Sequence, residues 1–185
     1  MGKAIITVQM TADAGIGPDL EWFEGGDQED RGEDELLLAD AMLLGRKTYA
    51  SLSSIWLNST GEFADRVNSM PKYVASRTLT GPLTWNATLL GGDLVAEVRR
   101  LKADHAGNLL SYGCGELAFE LVRQGLADEV HFWVHPVVWG EPSRPFHGLG
   151  RVRMRLKDST VFRNGVTLQN YEPVSAEPAP AQAAG

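Results

Sequence analysis

Asn108–Gln124, NLLSYGCGELAFELVRQ, is the stretch from which the rest of the chain can be read. Its first five residues form an apolar strand. Gly113-Cys114-Gly115 then makes a glycine-flanked turn, and a helix is predicted to open at Glu116. Leu117, Ala118, Leu121 and Val122 recur at helical spacing and give that helix one apolar face. Gly125 is a fitting stop. A strand that turns through glycine into a helix aims free N–H groups and the positive end of the helix dipole at one spot. The glycines also let an anion come close to the backbone. A phosphate is the expected guest.

One further stretch repeats this arrangement, and another shares its position at a strand end. Ala41–Leu44 reads as a buried strand, followed by Gly45-Arg46-Lys47-Thr48 and a helix to about Leu52. Lys72–Ser76 (KYVAS) reads as a strand ending at Ser76-Arg77. All three candidate anion sites therefore stand at the end of a strand. Two helix N-termini can cradle a pyrophosphate. Arg46, Lys47 and Arg77 can clamp a further phosphate, the arginines with two parallel bonds. A dinucleotide carrying an extra 2′-phosphate would use every one of these groups. The G-x-G-x-x-G fingerprint of ordinary dinucleotide folds is missing after the first strand. Taken singly, each cation reads as surface charge; it is their shared position that favours phosphate binding.

The remaining segments supply the frame. Ala4–Met10 (AIITVQM) is a strand rich in β-branched residues, predicted to be buried on both faces. Thr11–Pro18 is a loop. Leu20–Glu35 is strongly acidic and reads as a solvated loop and first helical turn, with a short helix over Leu36–Ala39. Further helices are predicted over Glu62–Ser69 and from Gly91-Gly92-Asp93 to about Ala103, with a strand within Thr84–Leu90. Glu129–Val138 is a strand with Val130, Phe132 and Val134 on one face and His131, Trp133 and His135 on the other. Arg151–Lys157 alternates cationic and apolar residues, the pattern of a half-exposed strand with Val152, Met154 and Leu156 inward. Val166–Tyr171 is the last strand. Strands alternating with helices, closed by consecutive strands, imply a largely parallel sheet with helices on both faces and an antiparallel edge. Ligands bind such sheets at the carboxyl ends of the strands. One domain is expected over residues 1–173, and a disordered Ala/Pro-rich tail over 174–185.

Composition excludes several functions. The net charge of −7 argues against nucleic acid or an anionic membrane as partner. The single cysteine cannot form an internal disulfide, which suits a reducing compartment. No apolar run nears the ~20 residues of a membrane span, and Met1–Met10 is too short in apolar residues for a signal peptide. A cytoplasmic protein is expected. His131 and His135 stand roughly 13 Å apart along a strand, too far to share a metal, and no metal is expected. Trp133 with its two histidines could mark a subunit interface, a helix-covered face or a solvent-facing one. Cys114, at a helix N-terminus, could be an activated nucleophile.

These motifs, in this order, resemble the dihydrofolate reductase-like family. The nearest branch is that of the reductase domain of the bifunctional deaminase/reductase of riboflavin biosynthesis. The resemblance covers about Lys3–Pro173. Leu44–Thr48 matches the family's glycine-arginine-x-threonine turn, Ser76-Arg77 its cofactor-phosphate strand end, and Gly113–Leu117 its glycine-rich turn. Asp13–Gly17 resembles the loop over the nicotinamide, and Pro136–Phe146 the stretch before the final hairpin. The resemblance implies a mixed, mostly parallel sheet of about eight strands, helices on both faces and a C-terminal antiparallel hairpin. It implies NADPH held by Ile16, Gly17, Gly45, Arg46, Lys47, Thr48, Ser76, Arg77, Gly113, Cys114, Gly115, Glu116 and Leu117. The implied reaction is hydride transfer to a pterin-like or ribosylaminopyrimidine-like small molecule, including 5-amino-6-(5-phosphoribosylamino)uracil reductase activity. Asp13 is the candidate catalytic residue, as a polar substrate contact, and a homodimer is the candidate assembly. The acid that dihydrofolate reductases carry on the helix after the first loop falls within the crowded Asp27–Asp34 run. A nucleotide-binding or regulatory protein of the same fold, with little or no turnover, is the alternative; a cysteine-dependent enzyme is the third reading.

Overall fold

A computed structural model describes residues 1–17, 22–23, 25–140 and 144–174. The chain runs β1 (Ala4–Thr11), α1 (Gln28–Leu37), β2 (Ala39–Gly45), α2 (Arg46–Trp56), α3 (Glu62–Ser69), β3 (Lys72–Ala75) and β4 (Ala87–Leu89). It continues α4 (Leu94–Asp104), β5 (Asn108–Tyr112), α5 (Glu116–Arg123), β6 (Glu129–His135), β7 (Arg153–Val161) and β8 (Thr167–Val174). One eight-stranded sheet forms in the order β4-β3-β2-β5-β1-β6-β8-β7. β1 to β6 are mutually parallel, and β8 joins β6 and β7 antiparallel. This is the mostly parallel sheet with a C-terminal hairpin that the sequence implies.

Alternation along the strands builds a core on each face. Ile6, Val8, Ala41, Leu43, Leu109 and Val130 meet α4 and α5 through Val98, Leu101, Ala118, Leu121 and Val122. Their neighbours Ile5, Met42, Leu44, Val74 and Leu110 meet α1, α2 and α3 through Leu36, Tyr49 and Val67. Strands covered on both faces need apolar residues at nearly every position, as Ala41–Leu44 of β2 shows; the second half of β1 alternates instead, with Thr7, Gln9 and Thr11 on one face.

Four expectations change. First, the helix placed at Leu36–Ala39 is α1, Gln28–Leu37, and Ala39 already opens β2. Much of the acidic run is thus helical. Glu29, Asp30, Glu33 and Asp34 are exposed as expected, but Glu35 is buried. Second, β7 is not half-buried. Only Met154 is partly covered; Leu156 is 51% and Val161 74% exposed, because β7 is the outermost strand and, among the described residues, pairs with β8 alone. Third, the face carrying His131, Trp133 and His135 is neither solvent-facing nor free for a partner, since all three are buried within the fold. Fourth, Val174 belongs to β8, in register with Arg153. The expected tail from residue 175 onward, Glu21 and Glu24 of the acidic run, and residues 141–143 lie outside the described residues.

Candidate active site

β3, β2, β5, β1 and β6 are consecutive neighbours in the sheet and all parallel, so their carboxyl ends open on one edge. The three predicted anion turns follow β2, β3 and β5 and therefore lie side by side. Neighbouring strands are ~4.8 Å apart, so the turns span roughly 10 Å. A Cβ added at Gly113 would stand 3.7 Å from Thr48 Oγ1, and one at Gly45 3.7 Å from Leu117 Cβ. The starts of α2 and α5 are thus in contact. Gly113 has φ +91°, a conformation that side chains disfavour, which accounts for glycine there.

The donors of this edge fit phosphate groups. α2 and α5 begin after Gly45 and Gly115, and neither helix has a side-chain cap among the described residues. Their first N–H groups are left for another acceptor. Arg46 and Lys47 are exposed and form no ion pair among the described residues. Arg77 Nη2 lies 3.0 Å from Glu116 Oε2. Ser76 Oγ is used within its own turn, accepting from the N–H groups of Thr78 at 3.1 Å and Leu79 at 3.0 Å. Cys114 is half-buried. Burial pushes its thiol up, and the bond from the Phe146 N–H only partly offsets this. The net direction is upward, opposite to the lowering that a helix N-terminus alone would give.

Beside the cradle, Asp13 joins the loops after β1 and β6. Its Oδ1 accepts from Thr11 Oγ1 at 2.5 Å and Trp139 N at 3.2 Å, and its Oδ2 from Gly140 N at 2.8 Å. These bonds, that from Thr11 foremost, hold its carboxyl at about 2. Both oxygens are engaged within the protein. Ile16, on the same loop, packs against the core under α4 and α5. His135 sits beneath this region, its ring 5.0 Å from those of Trp22 and Phe23, and its Nε2 bonds Gln9 Oε1 at 2.8 Å. Burial lowers its pKa.

A polar row lies one residue inward from the glycine turn. Tyr112, Thr7 and His131 stand in register across β5, β1 and β6. Gly113, next after Tyr112, donates its N–H to the Thr7 carbonyl at 2.9 Å. Glu35 of α1 closes the row from above. Its Oε2 accepts from Thr7 Oγ1 at 3.0 Å, and its Oε1 bonds His131 Nδ1. His131 Nε2 bonds Glu129 Oε2 at 3.1 Å. Burial pulls the His131 pKa down, but the Glu35 and Glu129 carboxylates outweigh it and the net shift is upward. Burial raises the Tyr112 hydroxyl, and the Glu35 charge adds to the effect. The sequence reading named Glu35 only within a solvated run and assigned no chemistry to Thr7 or Tyr112. One signal was available: Gln28, Glu35 and Leu36, the buried residues of α1, recur at i, i+7 and i+8 on one helix face.

Among the described residues, no group of three or more His, Cys, Asp and Glu could hold a metal, and no helix is long and apolar enough to cross a membrane.

The fold is that of the dihydrofolate reductases. Residues 3–168 match the model of the RibD C-terminal domain, and the chain belongs to that family. An uncharacterised Bacillus subtilis (strain 168) protein, YyaP, is 28% identical over 137 residues, 69% of this chain and 70% of that one. The diaminohydroxyphosphoribosylaminopyrimidine deaminase/5-amino-6-(5-phosphoribosylamino)uracil reductase of Thermotoga maritima superposes with a TM-score of 0.66 at 16% identity. That match covers 94% of this chain and 57% of the longer Thermotoga chain. Dihydrofolate reductase of Enterococcus faecalis, complexed with NADP(H), gives a TM-score of 0.60 at 12% identity, covering 94% of this chain and 98% of that one.

Proposed function

We propose that the protein is an NADPH-dependent reductase acting on a C=N or C=O bond of a pterin-like or ribosylaminopyrimidine-like small molecule. The observation that carries this reading is the juxtaposition of the phosphate-fitting edge with the Tyr112–Thr7–His131 row and its buried acid, Glu35. The names of the relatives support it, one a uracil reductase and another a dihydrofolate reductase holding NADP(H).

In this reading the N-termini of α2 and α5 receive the pyrophosphate, with Gly45, Thr48, Gly113, Cys114, Gly115 and Leu117 shaping the approach. Arg46, Lys47 and Arg77 select the 2′-phosphate, with Ser76 holding the turn that presents Arg77. Ile16 and Gly17 cover the nicotinamide. When bound, the cofactor supplies the hydride. The chain's own task is to orient the acceptor, exclude water and deliver a proton. In this reading Glu35 delivers it and the Tyr112 hydroxyl orients the substrate. Asp13 acts by holding the loops after β1 and β6 together. The compartment this reading implies is the cytoplasm. A second copy of the chain is a further candidate partner, through a surface other than the Trp133 row.

The test is NADPH oxidation against a panel of dihydrofolate, dihydropterins and the ribosylaminopyrimidine of the riboflavin pathway. Turnover with at least one is expected, with dihydrofolate weak. Glu35→Gln should lower kcat about a hundredfold or more while cofactor affinity holds. No oxidation with any member of the panel, or full activity in Glu35→Gln, overturns the reading.

A further inference from the structure

We propose that Glu35 and His131 act as a proton store refilled from the amino-terminal end of the sheet, through a polar cavity on the side away from the cofactor edge. The use of that proton rests on the reductase reading; the route does not. Lys3, Ile5, Arg31, Glu35, Leu38, Asn108, Glu129, His131 and Asn170 line a cavity of about 170 Å³. This is far more than the roughly 30 Å³ a water molecule occupies in the liquid. Lys3 precedes β1, and Asn108 and Glu129 are the first residues of β5 and β6. The cavity is therefore at the end opposite the glycine turns. Glu35 and His131 stand in its wall, while Thr7, which Glu35 also bonds, reaches the Gly113 turn through its carbonyl. The pair thus separates the candidate reaction site from this cavity.

The cavity is built to hold water. Asn170 is 5% exposed, and its Oδ1 has no hydrogen-bond partner among the described residues. Arg31 is half-buried, with no ion pair or hydrogen bond among the described residues. Leu38, 67% exposed, stands where the cavity meets solvent. The charged and titratable groups facing His131 are Glu35 and Arg31 from α1, Lys3 before β1, Tyr112 from β5, Glu129 from β6 and Lys157 from β7. Asp158 of β7 reaches the same wall by accepting from Asn170 Nδ2 at 2.9 Å. Glu129 does not carry the proton. Burial raises its carboxyl, but Lys157 and Lys3, each at 2.7 Å, and His131 hold it at about 2. It stays a carboxylate, an acceptor 3.1 Å from His131 Nε2.

The acceptor bond gains hydride at carbon and a proton at its nitrogen or oxygen, and the Glu35–His131 pair loses that proton. One proton then enters from bulk solvent along the cavity water and restores the pair.

The experiment uses the full chain labelled with ¹⁵N-histidine, without cofactor, and measures exchange of the His131 ring protons with solvent by NMR. Leu38→Trp, which enlarges an exposed side chain at the mouth, should slow that exchange at least tenfold. Asn108→Leu, which dries the wall, should act in the same direction and serves if the first variant folds poorly. In turnover, both variants should show a lower kcat, an unchanged KM, and a larger solvent deuterium effect. Exchange and pH–rate profile matching the unsubstituted protein in both variants would place the proton route at the cofactor edge and overturn the proposal. Absence of NADPH oxidation in the unsubstituted chain would instead sink the reductase reading, and the exchange rates would still decide the route.

Discussion

Arg77 and Glu116 bridge two turns of the candidate cofactor edge: the guanidinium after β3 lies 3.0 Å from the carboxylate in the first turn of α5. Both side chains are 87% exposed, so the pair adds little to stability. Its effect falls on binding, because a phosphate that seeks Arg77 competes with Glu116. Glu116→Gln is expected to raise NADPH affinity about two- to fivefold, the range an exposed ion pair represents. Arg77→Ala should lower it roughly tenfold or more and leave NADH affinity nearly unchanged. Titrations of both cofactors against both variants check this; equal effects on NADPH and NADH would remove Arg77 from the 2′-phosphate.

Asp13 should matter to the loops it joins and to acid resistance. Its carboxyl is held at about 2 in the folded chain, below the ordinary 3.8. The contribution is present above the unfolded value and is lost as pH falls through the folded one. Asp13→Ala is expected to melt earlier than the parent at pH 7, with the gap closing as pH falls from about 4 towards 2. Melting curves across that window decide it; a gap independent of pH would mean that the carboxylate bonds do not hold the loops.

Lys72 gives a dependence of the same sign in a higher pH window. It is fully buried, its Nζ donates to the Val67 carbonyl and to that of Asn68 at 3.0 Å, and it lies 4.3 Å from the Trp85 ring centre. Burial lowers its pKa from 10.5 to about 8. Between those values the unfolded chain binds the proton that the folded chain has released, so this residue's contribution to stability rises with pH. Urea unfolding of the parent and Lys72→Met at pH 7 and pH 10 should show the parent gaining on the variant. A constant difference would contradict the lowered pKa.

Cys114 should alkylate slowly even without cofactor, because burial raises its thiol. NADPH should slow it further, since the turn that carries it would lie under the pyrophosphate. Cys114→Ser should keep most of the cofactor affinity and activity. Mass spectrometry of the labelled thiol with and without saturating NADPH is the measurement, and a dead serine variant would revive the cysteine-enzyme reading.

The glycine turns were legible because strand period, glycine and helix period succeed one another within a few residues, as in Asn108–Gln124. Sheet order was harder to read, yet the position of each turn at a strand end was enough to bring Gly45, Arg77 and Gly113 to one edge. α1 was misplaced because its buried face is Gln28, Glu35 and Leu36, so the inward stripe carries almost no hydrophobic signal. Glu35 looked like its exposed neighbours Glu33 and Asp34, and only the partners Thr7 and His131, distant in sequence, distinguish it. β7 misled in the other direction. Alternation at Arg153–Lys157 normally marks a covered face, but an outermost strand can alternate with little to cover it.

That outermost position has a bearing on how the molecule behaves in crowds of its own kind. A sheet that does not close ends on two unpaired backbones, each a template for a further strand. At one end β4 offers three residues; at the other β7 offers nine. What guards the long edge is Arg153, Arg155 and Lys157, together with the register shift between Leu156 and Asp158. Cations at such an edge repel their own image on an arriving chain, and the irregularity spoils an unbroken ladder. In concentrated salt, where repulsion fades within about 3 Å, stacking of molecule on molecule should begin along β7.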